Sequence, residues 1–133
     1  MTVLMREMIS FLKDRVKNLQ AIYLFGSMAD GTAHSGSDLD VALLTETSLK
    51  PVERWSIQED LAGRLHRDVD LVDLRCASTV MQMQVVSHGL VIYDADSTTR
   101  QAFEVFVYSS YARFNEERKE ILKVIREEGR VYA

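Results

Sequence analysis

Residues 23–44 read YLFGSMADGTAHSGSDLDVALL, and the rest of the chain is arranged around them. An apolar run over 21–25 ends in Gly26-Ser27, and a second run over 39–44 carries Asp38 and Asp40 at its head. Side chains two apart on a strand project to one face, so this spacing predicts two carboxylates in one small volume. Each disfavours ionisation of the other. A divalent cation relieves that conflict, and hard oxygen ligands suit magnesium or manganese. The other half of the stretch complements the first. A strand that ends in Gly-Ser and turns into a helix leaves backbone N–H groups free for an anion, phosphate above all. Glycine allows the backbone to come close, and the serine hydroxyl adds a donor. Phosphate at one end and its metal at the other describe a site for a nucleoside triphosphate.

The intervening residues 27–37 are rich in Gly, Ser, Asp and Thr, as turns are. A connection of this length lets the second strand run antiparallel beside the first, which sets the aspartates next to Gly-Ser. A third acidic strand follows at 67–74, RDVDLVDL. Alternation puts Asp68 and Asp70 on one face and Asp73 on the other. An acid flanked by strand-forming apolar residues is costly to bury unless paired or bound to metal. Asp73 reads more simply as a strand-end or helix-capping residue.

Gly26-Ser27, ten further residues and then Asp38-Leu39-Asp40, with a third acidic strand downstream, resembles the signature of the DNA polymerase beta-like nucleotidyltransferase superfamily. In a chain this short it resembles the minimal nucleotidyltransferase (MNT) branch. The resemblance implies an α+β nucleotidyltransferase fold, with a small mixed β-sheet flanked by helices, a long C-terminal helix and residues 1–133 as one domain. It implies that Asp38, Asp40 and Asp70 are catalytic and metal-ligating. Asp70 takes its role because Val69-Asp70-Leu71-Val72 matches the family's third acidic strand, and Asp68 is the alternative. The implied cofactor is a pair of Mg2+ ions, with Mn2+ as a substitute. The implied substrate is ATP, with Gly26, Ser27 and Ser37 as nucleotide-binding residues. Family members often carry arginines between Gly-Ser and the acids. Here those places hold Met28, Asp30 and His34, which weakens the expected grip on phosphate.

Small free-standing MNT proteins resemble the antitoxin half of HEPN/MNT toxin–antitoxin pairs. The resemblance then implies transfer of AMP from ATP to a tyrosine of a HEPN ribonuclease toxin, within a hetero-oligomer of the two. Two other readings stay open. One is an antitoxin that masks its toxin without catalysis. The other is transfer to a small alcohol such as an aminoglycoside, although such enzymes usually bring an added acceptor-binding domain.

Composition narrows the field. The chain has 133 residues, enough for one domain with a modest core. No run approaches the ~20 apolar residues of a membrane span, and the first 19 residues lack the apolar centre of a signal peptide. A single cysteine, Cys76, leaves no internal disulfide and fits a cytoplasmic setting. The net charge of −4 argues against binding of long nucleic acid, which relies on clustered Lys and Arg. Neither His66 nor His88 has a Cys or His neighbour at zinc-ligand spacing.

Periodicity predicts the remaining elements. Leu4, Met8, Phe11, Leu12, Val16 and Leu19 give a helix over 2–19, with Thr2 as its cap. Pro51 opens a helix over 51–66 that turns Ile57, Leu61 and Leu65 inward, with Trp55 off that line. A third helix over 77–88 has Val80, Met83 and Val86 inward and ends at Gly89, and a strand follows over 90–93. The last helix, over 98–128, carries a stripe of Phe103, Phe106, Val107, Ser110, Phe114, Ile121 and Ile125. Such a stripe serves either a core or a second protein chain.

Overall fold

A computed structural model describes residues 2–26 and 38–132, with side chains through Glu128. Four strands form one mixed sheet. Strand β1 (Leu19–Phe25) and strand β2 (Leu39–Thr45) are antiparallel, with Phe25 opposite Asp40 and Tyr23 opposite Ala42. Strand β3 (Val69–Asp73) runs parallel to β2 at one edge, with Asp40 opposite Asp70. Strand β4 (Leu90–Asp94) pairs antiparallel with β1 at the other edge, so the order is β3-β2-β1-β4.

Helices α1 (Val3–Arg15) and α2 (Pro51–Leu65) cover one face. Met8 and Leu12 of α1 and Ile57, Leu61 and Leu65 of α2 pack there on Ile22, Leu24, Val41, Leu43 and Leu71. Helices α3 (Thr79–His88) and α4 (Ser97–Tyr132) cover the other face. Val85, Phe103 and Val107 meet Ala21, Tyr23, Phe25, Ala42 and Leu44 on that side. The two central strands are therefore buried on both faces, which explains why they read as unbroken apolar runs rather than alternating ones.

The chain ends its helices with local signals. The Thr2 hydroxyl accepts the Met5 N–H at 3.2 Å, and the Ser78 hydroxyl accepts the Met81 N–H at 3.1 Å. His66, with φ 53°, closes α2 in the left-handed conformation more often given to glycine. Gly89 closes α3 for a different reason. Its φ is −77°, and a methyl group there would run into the carbonyl oxygen of Val85.

Two predictions need correction, and one open reading is divided. Helix α1 stops at Arg15 rather than 19. Val16 is extended, Asn18 has φ 56°, and Leu19 already belongs to β1. Val16 and Leu19 are nonetheless buried, so helical spacing continued to report burial after the backbone had turned. In α3, Val80 faces solvent, while Gln82 and Val85 are the buried positions and Met83 and Val86 are partly covered. Gln82 tolerates this because its Nε2 donates to the Leu74 carbonyl at 2.7 Å. In α4 the stripe is core only at Phe103 and Val107. Phe106, Ile121 and Ile125 are more than half exposed.

Candidate active site

The sheet brings two acids together by register. Asp40 follows Leu39 at the head of β2, and Asp70 follows Val69 at the head of β3, directly opposite in the parallel pair. Their neighbours Leu39, Val41, Val69 and Leu71 point into the α1/α2 core. Both carboxylates consequently project to the α3/α4 face, because side chains alternate along each strand. Asp40 is partly buried and Asp70 exposed.

Electrostatics links a third acid to this pair. Burial pushes the Asp40 carboxyl above the ordinary carboxylate range, and the charges of Asp70 and then Asp38 push it further. Asp38 lies just ahead of β2 and not within it, so strand alternation does not fix its side chain. The entry to β2 is tied instead to β3, where the Leu39 N–H donates to the Asp68 carbonyl at 2.9 Å. Among the described residues, no three His, Cys, Asp or Glu side chains already close up as a metal-binding cluster. The donor set fits a hard divalent cation all the same. It consists of carboxylate oxygens that repel one another, and a cation between them removes the repulsion that raises Asp40.

Gly26 completes the described part of the site. It ends β1 beside Asp40, and its φ of +71° lies in the left-handed region. A methyl group at this position would collide with Oδ2 of Asp40. Two constraints, backbone sign and space, thus call for glycine here. Ser27 and Ser37, the two predicted phosphate contacts, lie outside the described residues, as do Met28, Asp30 and His34.

Of the other two acids of 67–74, neither is among the charges that raise Asp40. Asp68 is exposed and precedes β3. Asp73 is buried on the opposite side of the strand from Asp70, where it accepts the Leu49 N–H at 2.8 Å and the Arg75 N–H at 3.1 Å. The strand-end reading of Asp73 is therefore the one observed.

Sequence reasoning missed a polar cluster on the site's face of the sheet. The Tyr23 hydroxyl donates to Glu104 Oε1 at 3.1 Å, and Arg100 bridges Glu104 and Asp94. Burial, followed by the charge of Glu104, raises the Tyr23 phenol well above its ordinary range. The available signals were a lone polar-tipped residue in an apolar strand and an Arg-Glu pair one helical turn apart.

Comparison with known proteins agrees with this geometry. The family described as polymerase beta, nucleotidyltransferase matches residues 6–98. Protein adenylyltransferase MntA of Shewanella oneidensis is 41% identical over 116 residues, covering 87% of this chain and 83% of that protein. A crystal structure of a toxin–antitoxin with AMP-PNP superposes with a TM-score of 0.84 at 40% identity, covering 91% of this chain and 97% of the matched one. A structure of tri-AMPylated Shewanella oneidensis HEPN toxin in complex with MNT antitoxin superposes with a TM-score of 0.79 at 36% identity, covering 92% and 96%. The family match takes in all four strands and the facing aspartates, and this chain belongs to the polymerase beta nucleotidyltransferase family.

Proposed function

We propose that this chain is a protein adenylyltransferase that moves AMP from ATP to a tyrosine of a cognate HEPN toxin, and so acts as the antitoxin within a hetero-oligomer of the two. The observation that carries the reading is the juxtaposition of Asp40 and Asp70 across β2 and β3, with Gly26 packed on the Asp40 carboxylate. It is supported by the similarity to a protein adenylyltransferase and to toxin–antitoxin structures with AMP-PNP or an AMPylated toxin. On this reading ATP is the substrate and the protein acts in the cytoplasm. No described helix is long and apolar enough to cross a membrane.

Asp38, Asp40 and Asp70 are the residues that would hold Mg2+, with Mn2+ as a substitute. Bound there, two such ions would neutralise triphosphate charge and lower the pKa of the acceptor hydroxyl. Gly26, with Ser27 and Ser37, holds the phosphates through backbone N–H and hydroxyl groups. The acceptor oxygen bonds to the α-phosphorus as the bond to the bridging oxygen of pyrophosphate breaks. Pyrophosphate leaves, and on this reading Asp70 receives the phenolic proton. Most of the rate enhancement comes from positioning and charge neutralisation, because phosphoryl-type transfer leaves little covalent work to the protein.

Intact mass spectrometry of the HEPN partner after incubation with the protein, ATP and Mg2+ tests the proposal. The expected result is a mass gain of one or more AMP units, absent with Asp40→Asn. An unchanged partner mass with the parent protein overturns the reaction, and full modification by Asp40→Asn overturns the metal-ligand assignment.

A further inference from the structure

The geometry points to an acceptor pocket on the outer side of β3, built from Asp70, Arg54, Val72, Ala77 and Met81, that receives the tyrosine ring. This inference rests on the transferase reading above. In the sheet order Asp40 lies between Gly26 of β1 and Asp70 of β3. Displacement at phosphorus is in line, so the attacking and leaving oxygens lie on opposite sides of it. Phosphates held over Gly26 leave on the β1 side. The acceptor therefore enters from beyond Asp70, across the edge strand.

An open cavity of about 470 Å3 occupies that position, within the range of about 300–1,000 Å3 usual for ligand sites. Asp70 lines one part of it, and Arg54, Val72, Ala77 and Met81 line others. The chemistry suits a phenol. Val72, Ala77 and the Met81 thioether offer an apolar surface for the ring, Arg54 can lie against its face, and Asp70 meets the hydroxyl end. The strand edge itself is closed to an incoming strand at this point. The Leu71 N–H donates to Gln58 Oε1 at 2.9 Å, and the Leu71 carbonyl accepts from Arg54 Nη1 at 2.9 Å. With those backbone groups satisfied by α2, the site admits a side chain rather than a β-strand.

The chain offers its own probe. Cys76 is the sole cysteine, is exposed, and lines the same cavity. Alkylation with fluorescein maleimide fills the cavity in the otherwise unchanged protein, and Ala77→Phe fills it without a label. The expected result for both is a loss of at least about tenfold in kcat/KM for the HEPN acceptor, the scale of one spoiled apolar pocket, with ATP affinity and complex formation retained. Cys76→Ser treated with the same reagent keeps the activity of untreated Cys76→Ser. Undiminished transfer by both filled proteins overturns the pocket while leaving the transferase reading intact. A parallel loss of ATP affinity assigns the cavity to the nucleotide and overturns the pocket, as does a loss of complex formation, which assigns the surface to docking. Absence of transfer by the unlabelled parent defeats the underlying reaction itself.

Discussion

Asp40 is held in a position that favours its protonated form. Its carboxyl titrates above the ordinary range through burial, then Asp70, then Asp38. A raised acid pKa means that the folded chain binds the proton more tightly than the unfolded chain. That stabilising contribution is complete below the pH at which unfolded Asp40 ionises, and is lost as pH rises through the folded value. Above it, the ionised carboxylate opposes folding. Asp40→Asn is expected to stabilise the metal-free protein at neutral pH, read as a higher Tm and worth less than about 1 kcal/mol because a partly exposed carboxylate is screened by solvent, while abolishing AMP transfer. Mg2+ is expected to raise the Tm of the parent through binding linkage and to leave Asp40→Asn unmoved. Differential scanning fluorimetry with and without Mg2+ measures both effects, and equal Mg2+ stabilisation of the two proteins would remove Asp40 from the ligand set. Gly26→Ala tests the neighbouring constraint. The added methyl group meets Asp40 Oδ2 at a backbone angle unfavourable to alanine. The expected cost is about 1–3 kcal/mol in a urea melt and about a hundredfold in kcat/KM from the displaced carboxylate. The chemical half of this site was legible in sequence because Gly and Asp are the residues that such chemistry needs. The collision that makes glycine obligatory was not, since it depends on the register between β1 and β2.

Strand β3 shows how an element sorts identical side chains. RDVDLVDL carries three aspartates, and alternation sends Asp70 to the site face and Asp73 to the other. Asp73 is buried and accepts two backbone N–H groups, one from Leu49, 24 residues away. Asp73→Ala leaves those donors without their acceptor and is expected to cost about 1–3 kcal/mol of stability. Asp73 also borders the cavity beside Asp70, so transfer by the folded variant should fall far less than with Asp70→Ala, measured as kcat at a temperature where the variant is fully native. Equal losses of activity from Asp73→Ala and Asp70→Ala would erase the distinction between the two acids. The alternation was readable from sequence, but the Leu49 contact was not, because it requires knowing where the loop before α2 lands. Element ends show the same division. Thr2 acts as the cap that its sequence position predicted, and Ser78 caps α3. The end of α1 was misjudged because Val16 and Leu19 kept a helical spacing of burial across a turn made by Asn18.

At the scale of the whole molecule, the sheet and its site fall within residues 6–98, and α4 continues far beyond them. Its 36 residues span about 54 Å at 1.5 Å per residue, yet Phe103 and Val107 are its only buried side chains among those described. Residues 116–128 are all exposed, including Ile121, Leu122, Val124 and Ile125. Sequence periodicity found the apolar stripe but could not say which part is core, because one helical period serves intramolecular packing and partner binding alike. The two uses separate on truncation. Removing residues 116–133 takes away no buried described side chain, so the melting free energy should stay within about 0.5 kcal/mol of the parent. If the overhang is where the HEPN partner sits, the truncated chain should also fail to co-purify with that partner and lose AMP transfer to it while still binding ATP. Co-purification at the parent level would move the contact onto the sheet-bearing part of the chain. A large drop in stability would show that the overhang packs against the domain in solution. A truncated chain that binds ATP and melts like the parent but no longer modifies its partner would assign catalysis to the sheet and recognition to the helix.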